Sequence, residues 1–308
     1  MGGSGGGSYR LNPSELQQLR EQAQERLERT RIDSEVNSLL QQELVTINNR
    51  DAEVVGERLT EIESALASEV EEFDRLLYGG SVAKHTWVDG VSDVDSLVVL
   101  SDALVGARTP AEMRAEFEQI LRRQLNMGEV DAVRVGRMAV TVTYRDGTEI
   151  QLLPAVQRAD SLEVSPSSGN HWARIDPKRF SETLSRVNRE QAGAVVPAIK
   201  IAKAILAAQL AEDQRPTGYH VEALAVAAFS NYDGPRTPKA MAQHLFERAS
   251  ADVRRPIADV TGQSRFVDSE LGGTDSADRQ RLAQNIEAIS RRMQAGTSAA
   301  DWKSLLDG

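Results

Sequence analysis

The sequence contains no cysteine. Disulfide bridges, thiolate zinc sites and cysteine nucleophiles are therefore excluded, and the cytoplasm is the expected location. No run of eighteen apolar residues is present, so no membrane-spanning helix is expected. A basic excess is also missing: 36 Lys and Arg stand against 46 Asp and Glu, a net charge of −10. Chains that hold long nucleic acid usually carry the opposite balance, because phosphates must be neutralised. The balance suits small nucleotides better than a polynucleotide. No Walker-type phosphate loop and no Gly-x-Ser-x-Gly elbow occurs, which removes P-loop ATPases and hydrolases built on that elbow. The four histidines show no metal-ligand spacing.

What is present suits a soluble globular protein. The 308 residues are 40% hydrophobic and 27% charged, enough for one large or two modest domains. Residues 1–8, Met-Gly-Gly-Ser-Gly-Gly-Gly-Ser, read as an expression linker outside the fold. Asn12-Pro13-Ser14-Glu15 then reads as a helix start, followed by Leu16, Leu19, Ala23 and Leu27 at helical spacing. A second helical segment carries Val36, Leu39, Leu40 and Leu44. A third is expected to run from Val55 through Leu59, Ile62, Leu66, Val70 and Phe73 to Leu77, delivering the chain to Gly79.

Thr109-Pro110-Ala111-Glu112 starts another helix, with Met113, Phe117, Ile120 and Leu121 inward and Gly128 beyond its end. Strands are expected at 132–135, at 139–144 and, after the hairpin signal Asp146-Gly147, at 148–153, where Pro154 ends the return strand. Residues 158–170 read as polar loop or linker. Beyond them lie helical candidates at 177–191, 195–211, 219–230, 238–250 and 276–295, with a short one near 301–306. The expected fold is α+β: helices and a mixed sheet over 9–165, then a helical lobe over 166–308, with the active site in the cleft between them.

The stretch with chemistry in it is Tyr78-Gly79-Gly80-Ser81 followed by Asp93-Val94-Asp95 and the apolar run Leu97-Val98-Val99-Leu100. Acids at i and i+2 of a strand point to the same face. Two carboxylates on one face suit a pair of Mg²⁺ ions. A Gly-Gly-Ser loop lets backbone N–H groups approach phosphate, because glycine admits conformations a side chain would block. Lys84, three residues past Ser81, is either a triphosphate contact or a solvated loop lysine; His85 and Trp87 are equally open. Lys200 and Lys203 lie in the otherwise apolar segment 195–206, where a lysine costs desolvation unless it faces a cleft or a partner. Tyr219 opens the next helix, either to stack on a base or to pack as a structural tyrosine.

Gly79-Gly80-Ser81, the eleven residues between Ser81 and Asp93, and Asp93-Val94-Asp95 resemble the signature of the DNA polymerase β-like nucleotidyltransferases. Over roughly residues 36–295 the chain resembles the cGAS/DncV-like branch (CD-NTases), the bacterial cyclases of antiphage signalling. Asn48-Asn49-Arg50-Asp51, Leu153-Pro154-Ala155, the lysine-bearing helix and Asp268 to Gly273 carry that part of the likeness.

The resemblance implies a polymerase β-like core with a helical lobe. It also implies synthesis of cyclic di- or trinucleotides from ATP and other nucleoside triphosphates. Asp93 and Asp95 would hold two Mg²⁺ ions, with Mn²⁺ as a substitute. Gly80 and Ser81 would grip the β- and γ-phosphates, and Lys203, with Lys200 as its fallback, would reach the phosphates. A monomer is expected, with a separate effector reading the product. The family's third acid lies three residues before the proline, and here that position is Gln151. Glu149, two residues upstream on the same strand face, is the substitute candidate for that ligand. Two other readings stay open. One is a transferase of the same fold that modifies tRNA, a protein or a small molecule. The other is a catalytically weakened nucleotide binder, which Gln151 favours.

Overall fold

The computed structural model describes residues 12–49, 52–71, 73–78, 84–86, 88, 94–101, 108–159, 161–165, 170–261 and 265–308. Helix α1 (Pro13–Asn49) is one continuous element where two segments were expected. Its start is fixed reciprocally: the Asn12 side chain accepts from Glu15 N–H at 2.9 Å, and the Glu15 carboxylate accepts from Asn12 N–H at 2.8 Å. Residues 14–31 of α1 are exposed, whereas Val36 and Leu40 are fully buried.

Helix α2 (Ala52–Glu69) ends well short of Leu77. The expected helix is replaced beyond a turn by strand β1 (Phe73–Tyr78), which pairs antiparallel with β2 (Val94–Leu100). The apolar positions 66, 70, 73 and 77 fit helical spacing, but the β2 edge needs a partner and captures the second half of the stripe. Tertiary pairing overrides the local pattern here.

Helix α3 (Pro110–Gln124) carries the capping box read from Thr109 and Glu112, with Met113, Phe117, Ile120 and Leu121 buried. Strands β3 (Val130–Val135) and β4 (Val140–Tyr144) follow, then the hairpin into β5 (Glu149–Arg158). Gly147 at the hairpin has φ +89°, a region that favours glycine. Asp146 is bonded to Arg58 on α2 at 2.7 Å, and that guanidinium holds its carboxyl well down, to about 2. The same Arg58 lies 4.0 Å over the Tyr144 ring.

β5 does not end at Pro154. It pairs with β4 over residues 149–152 and with β6 (Ser161–Val164) over 155–158, while β2 runs parallel along its other edge. Pro154 falls at the change of partner between β4 and β6, so on that edge it lies outside both ladders, while on the other edge it stands opposite Val98 of β2. The stretch read as loop contains β6, and β7 (Ala173–Ile175) adds to it, so the sheet reaches past residue 165. Strand order is β1-β2-β5-β4-β3, with β6 and β7 continuing from the far half of β5.

Alternation sets the two faces of this sheet. Val94, Val98, Leu100, Ile150, Leu152, Val140 and Val142 pack against α2 and α3. Leu97 and Val99 turn the other way, onto Ala155, Leu162, Val164 and Ile175. Helices α4 (Pro177–Glu190), α5 (Val195–Gln209), α6 (Gly218–Phe229), α7 (Pro238–Asp252), α8 (Ala277–Ala295) and α9 (Ala299–Asp307) form the helical lobe. Their shared core includes Val36 and Leu40 of α1. Asp33 and Asn37 hold Lys239 of α7, and Glu43 holds Lys303 of α9 at 2.8 Å.

Candidate active site

Asp95 is the first outward residue of β2, between the buried Val94 and Ser96, and is half-buried itself. It therefore lies on the face opposite α2 and α3. In the parallel ladder it stands directly beside Gln151, which in turn stands beside Thr141 of β4. Glu149 shares that face one step along β5 and accepts a hydrogen bond from Thr143 Oγ1 at 2.9 Å. Gln151 thus occupies the place next to Asp95, and Glu149 is a half-buried, bonded carboxylate rather than a bare hairpin residue. Asp93, Gly80 and Ser81 lie outside the described residues, as does Trp87. Among the described residues no cluster of three His, Cys, Asp or Glu could hold a metal ion.

Lys84 and Thr86 meet the helical lobe at a buried ionic knot. Glu222 on α6, 1% exposed, takes Lys203 Nζ of α5 on Oε1 at 3.0 Å and Lys84 Nζ on Oε2. Thr86 adds its hydroxyl to Oε1, and its carbonyl accepts from Lys203 Nζ at 3.1 Å. Burial pulls the Lys203 ammonium below its ordinary range, against the opposing attraction of Glu222 and, further off, Asp95. Burial would raise the Glu222 carboxyl, but the charges of Lys203 and Lys84 outweigh it and hold the carboxyl low. Lys200 is also pulled down, by burial and by the charge of Lys203. Gly218 lets α6 begin close to this knot, since a Cβ there would stand 3.3 Å from Lys203 Nζ.

Tyr219 sits beside the knot. Its ring meets Phe180 edge-on at 4.7 Å, and Lys84 Nζ lies 5.1 Å from its centroid. Its hydroxyl donates to Asp259 at 2.9 Å, and burial with Asp259 pushes its pKa up. Thr261 fixes Asp259 in turn through N–H and hydroxyl at 2.8 and 2.7 Å. The structure thus brings Asp95, Gln151, Glu149, Lys84, Lys203 and Tyr219 to the side where sheet and helical lobe meet. Lys200 is half-buried on α5 near Lys203.

Sequence reasoning missed Glu222, Thr86, Phe180 and Asp259. Glu222 gave the same signal as Lys203, a charge in the otherwise apolar run Val221-Glu222-Ala223-Leu224. A second buried network lies behind the knot on α6. His220 Nε2 is 3.3 Å from Asp268, and Arg279 bonds that carboxylate at 2.6 Å; all three are fully buried.

In chemical terms, the arrangement offers oxygen donors on a strand face and a lysine held within the field of Asp95. An aromatic ring is fixed alongside. That combination can seat a polyphosphate and a base.

The family model described as the Second Messenger Oligonucleotide or Dinucleotide Synthetase domain matches residues 31–188. No curated protein sequence matches the chain. Among solved structures, the Bradyrhizobium diazoefficiens CD-NTase CdnG in complex with GTP is similar at 13% identity and TM-score 0.62, covering 86% of this chain and 92% of that one. CdnC of E. coli MS115-1 with ATP is similar at 14% identity and TM-score 0.57, over 83% and 91% of the two chains. The Vibrio cholerae DncV cyclic AMP-GMP synthase, complexed with the linear intermediate 5′ pppA(3′,5′)pG, is similar at 13% identity and TM-score 0.56, over 92% and 86%. At these identities the structural likeness establishes the fold, a polymerase β-like core with flanking helices.

Proposed function

The chain belongs to the Second Messenger Oligonucleotide or Dinucleotide Synthetase family, and from that premise we propose that it makes a cyclic di- or trinucleotide signal for antiphage defence, releasing pyrophosphate. It is a nucleotidyltransferase of the cGAS/DncV-like group, and nucleoside triphosphates are its substrates. The observation that carries the finer reading is the pairing of Asp95 with Gln151 on the sheet face that looks toward Lys203.

The donor set on that face fits a hard cation. Asp95, Glu149 and Gln151 offer oxygen atoms only, and Mg²⁺ is commonly held by one or two carboxylates together with substrate phosphates. Asp93, Asp95 and Glu149 are the proposed ligands. A divalent ion there, Mg²⁺ or Mn²⁺, supplies neutralisation of phosphate charge and a more acidic acceptor hydroxyl.

The remaining work falls to the chain itself. Lys203, kept cationic by Glu222, attracts the departing pyrophosphate. Gly80 and Ser81 cradle the phosphates, and Tyr219, tethered by Asp259, offers a ring to a base. Gln151, neutral beside Asp95, can donate or accept a hydrogen bond but adds no charge. A second reading follows from that neutrality: a relative that binds nucleotide without turning it over.

The test incubates the purified protein with all four labelled nucleoside triphosphates and Mg²⁺ or Mn²⁺, with products resolved by chromatography and mass spectrometry. A cyclic product without any added acceptor is expected, and Asp95→Asn should abolish it while leaving the fold intact. Product formed only when tRNA, protein or a small acceptor is added overturns the cyclase reading. Metal-dependent binding without pyrophosphate release establishes the second.

A further inference from the structure

The rung that starts at Asp95 does not stop at β4. Thr141, the neighbour of Gln151, stands directly beside Arg134 of β3. Paired residues share a face, so carboxylate, amide, hydroxyl and guanidinium form one strip across four strands. The next residues along these strands, Val133, Val142, Ile150 and Val94, are fully buried against the helices, which turns Arg134 to the open face. At about 4.8 Å between strands, Arg134 lies roughly 14 Å from Asp95 at the backbone, less the reach of its own side chain.

Arg134 is exposed and forms no hydrogen bond or ion pair with any described residue. The arginines of β1 and β5 differ: Arg75 carries Asp74, and Arg158 carries Glu163 at 3.1 Å. A guanidinium with no acidic partner among the described residues, in a chain of net charge −10, is a local feature that the overall balance does not demand.

In phosphoryl transfer the attacking and leaving oxygens lie roughly in line. Lys203, which donates to the Thr86 carbonyl, is the cation assigned above to the leaving pyrophosphate, so the attacking nucleotide needs a second cation. The rung through β5, β4 and β3 leads from Asp95 to such a cation. We propose that Arg134 binds the 5′-triphosphate of the acceptor nucleotide, setting its hydroxyl over Asp95 and Gln151. The fork of a guanidinium matches phosphate oxygens two at a time, which suits an anchoring contact at the sheet edge. This assignment rests on the cyclase reading for the identity of the acceptor.

The test uses the full chain with Mg²⁺. A 2′,3′-dideoxynucleoside triphosphate serves as a donor that cannot accept, and an α,β-methylene nucleoside triphosphate as an acceptor that cannot donate. Linear dinucleotide is the readout. Arg134→Ala is expected to raise the acceptor KM roughly tenfold to a hundredfold, the loss of one charge-assisted contact, with a smaller effect on kcat and on the donor KM. Arg134→Lys should recover part of the loss, and an acceptor nucleoside without phosphate should show the same KM in both proteins.

An unchanged acceptor KM overturns the assignment. So does an equal loss with the unphosphorylated acceptor, which would mean a base or ribose contact. If the wild-type chain forms no dinucleotide, the cyclase reading fails, and calorimetric titration with the α,β-methylene triphosphate still decides the contact. Two binding events, one of them lost in Arg134→Ala, support it; identical titrations overturn it.

Discussion

Replacing Glu222 by glutamine keeps the shape of the side chain and removes its charge. Two ammonium groups, Lys84 at 10% and Lys203 at 3% side-chain exposure, then share a pocket with no carboxylate between them. At the 3.0 Å Lys203–Glu222 separation, attraction is about 5 kcal/mol for an effective dielectric near 20. Desolvation offsets much of it in the intact pair, but removing one partner leaves buried charge uncompensated, at a cost of roughly 3–5 kcal/mol. In a chain of 308 residues that corresponds to a fall in Tm of roughly 5–8 °C.

Thermal unfolding of Glu222→Gln measures the fall. The double variant Glu222→Gln with Lys203→Met should regain at least half of it, because a single ammonium then remains. Acid dependence supplies a second reading. The folded carboxyl sits below its ordinary 4.5, so the unfolded chain takes up the proton first. Its stabilisation is therefore complete above that pH and fades as the pH falls below it. The glutamine variant should lack this component. A Glu222→Gln protein melting within 2 °C of wild type, or a double variant that loses stability additively, refutes the knot.

Four further outcomes are expected. Glu149→Ala should abolish turnover if Glu149 completes the ligand set, whereas Gln151→Asp should lower the Mg²⁺ concentration needed for half-maximal rate; steady-state rates across a metal titration check both. Asp259→Asn should keep the fold but loosen Tyr219, raising nucleotide KM a few-fold with little change in kcat, and an unchanged KM would detach that ring from the substrate. His220 is held down to about 4 from an ordinary 6.5, chiefly by burial, so between these values the unfolded chain binds more protons. Acidification through that window should cost about 3 kcal/mol, and the slope of Tm against pH should flatten there in His220→Gln.

The elements legible in the sequence are those whose cause is local. Thr109 and Glu112 cap α3, and Asp146-Gly147 turns the hairpin, because each needs only its own few residues. Asp95 was legible for the same reason: alternation along one strand fixes its side. β1 was not, since Phe73 and Leu77 fit a helical stripe and only the edge of β2 decides otherwise. Pro154 reads as a terminator until its neighbours are known, because its tolerance depends on two strands trading places beside it. Lys84 is the sharpest case at the site. The sequence offered it to phosphate or to solvent, and the fold gives it to Glu222, a residue 138 positions away (222 − 84).

Helix α1 opens the chain, yet its second half is a wall of the lobe built from the chain's end. The polypeptide therefore passes between the two lobes twice, once leaving α1 and once entering α4. A hinge with one strand can swivel freely, whereas a pair of tethers restrains twisting and leaves mainly an opening and shutting movement. Cutting the chain between α1 and α2 should accordingly ease rotation of one lobe against the other, with each proposed site residue staying on its own side.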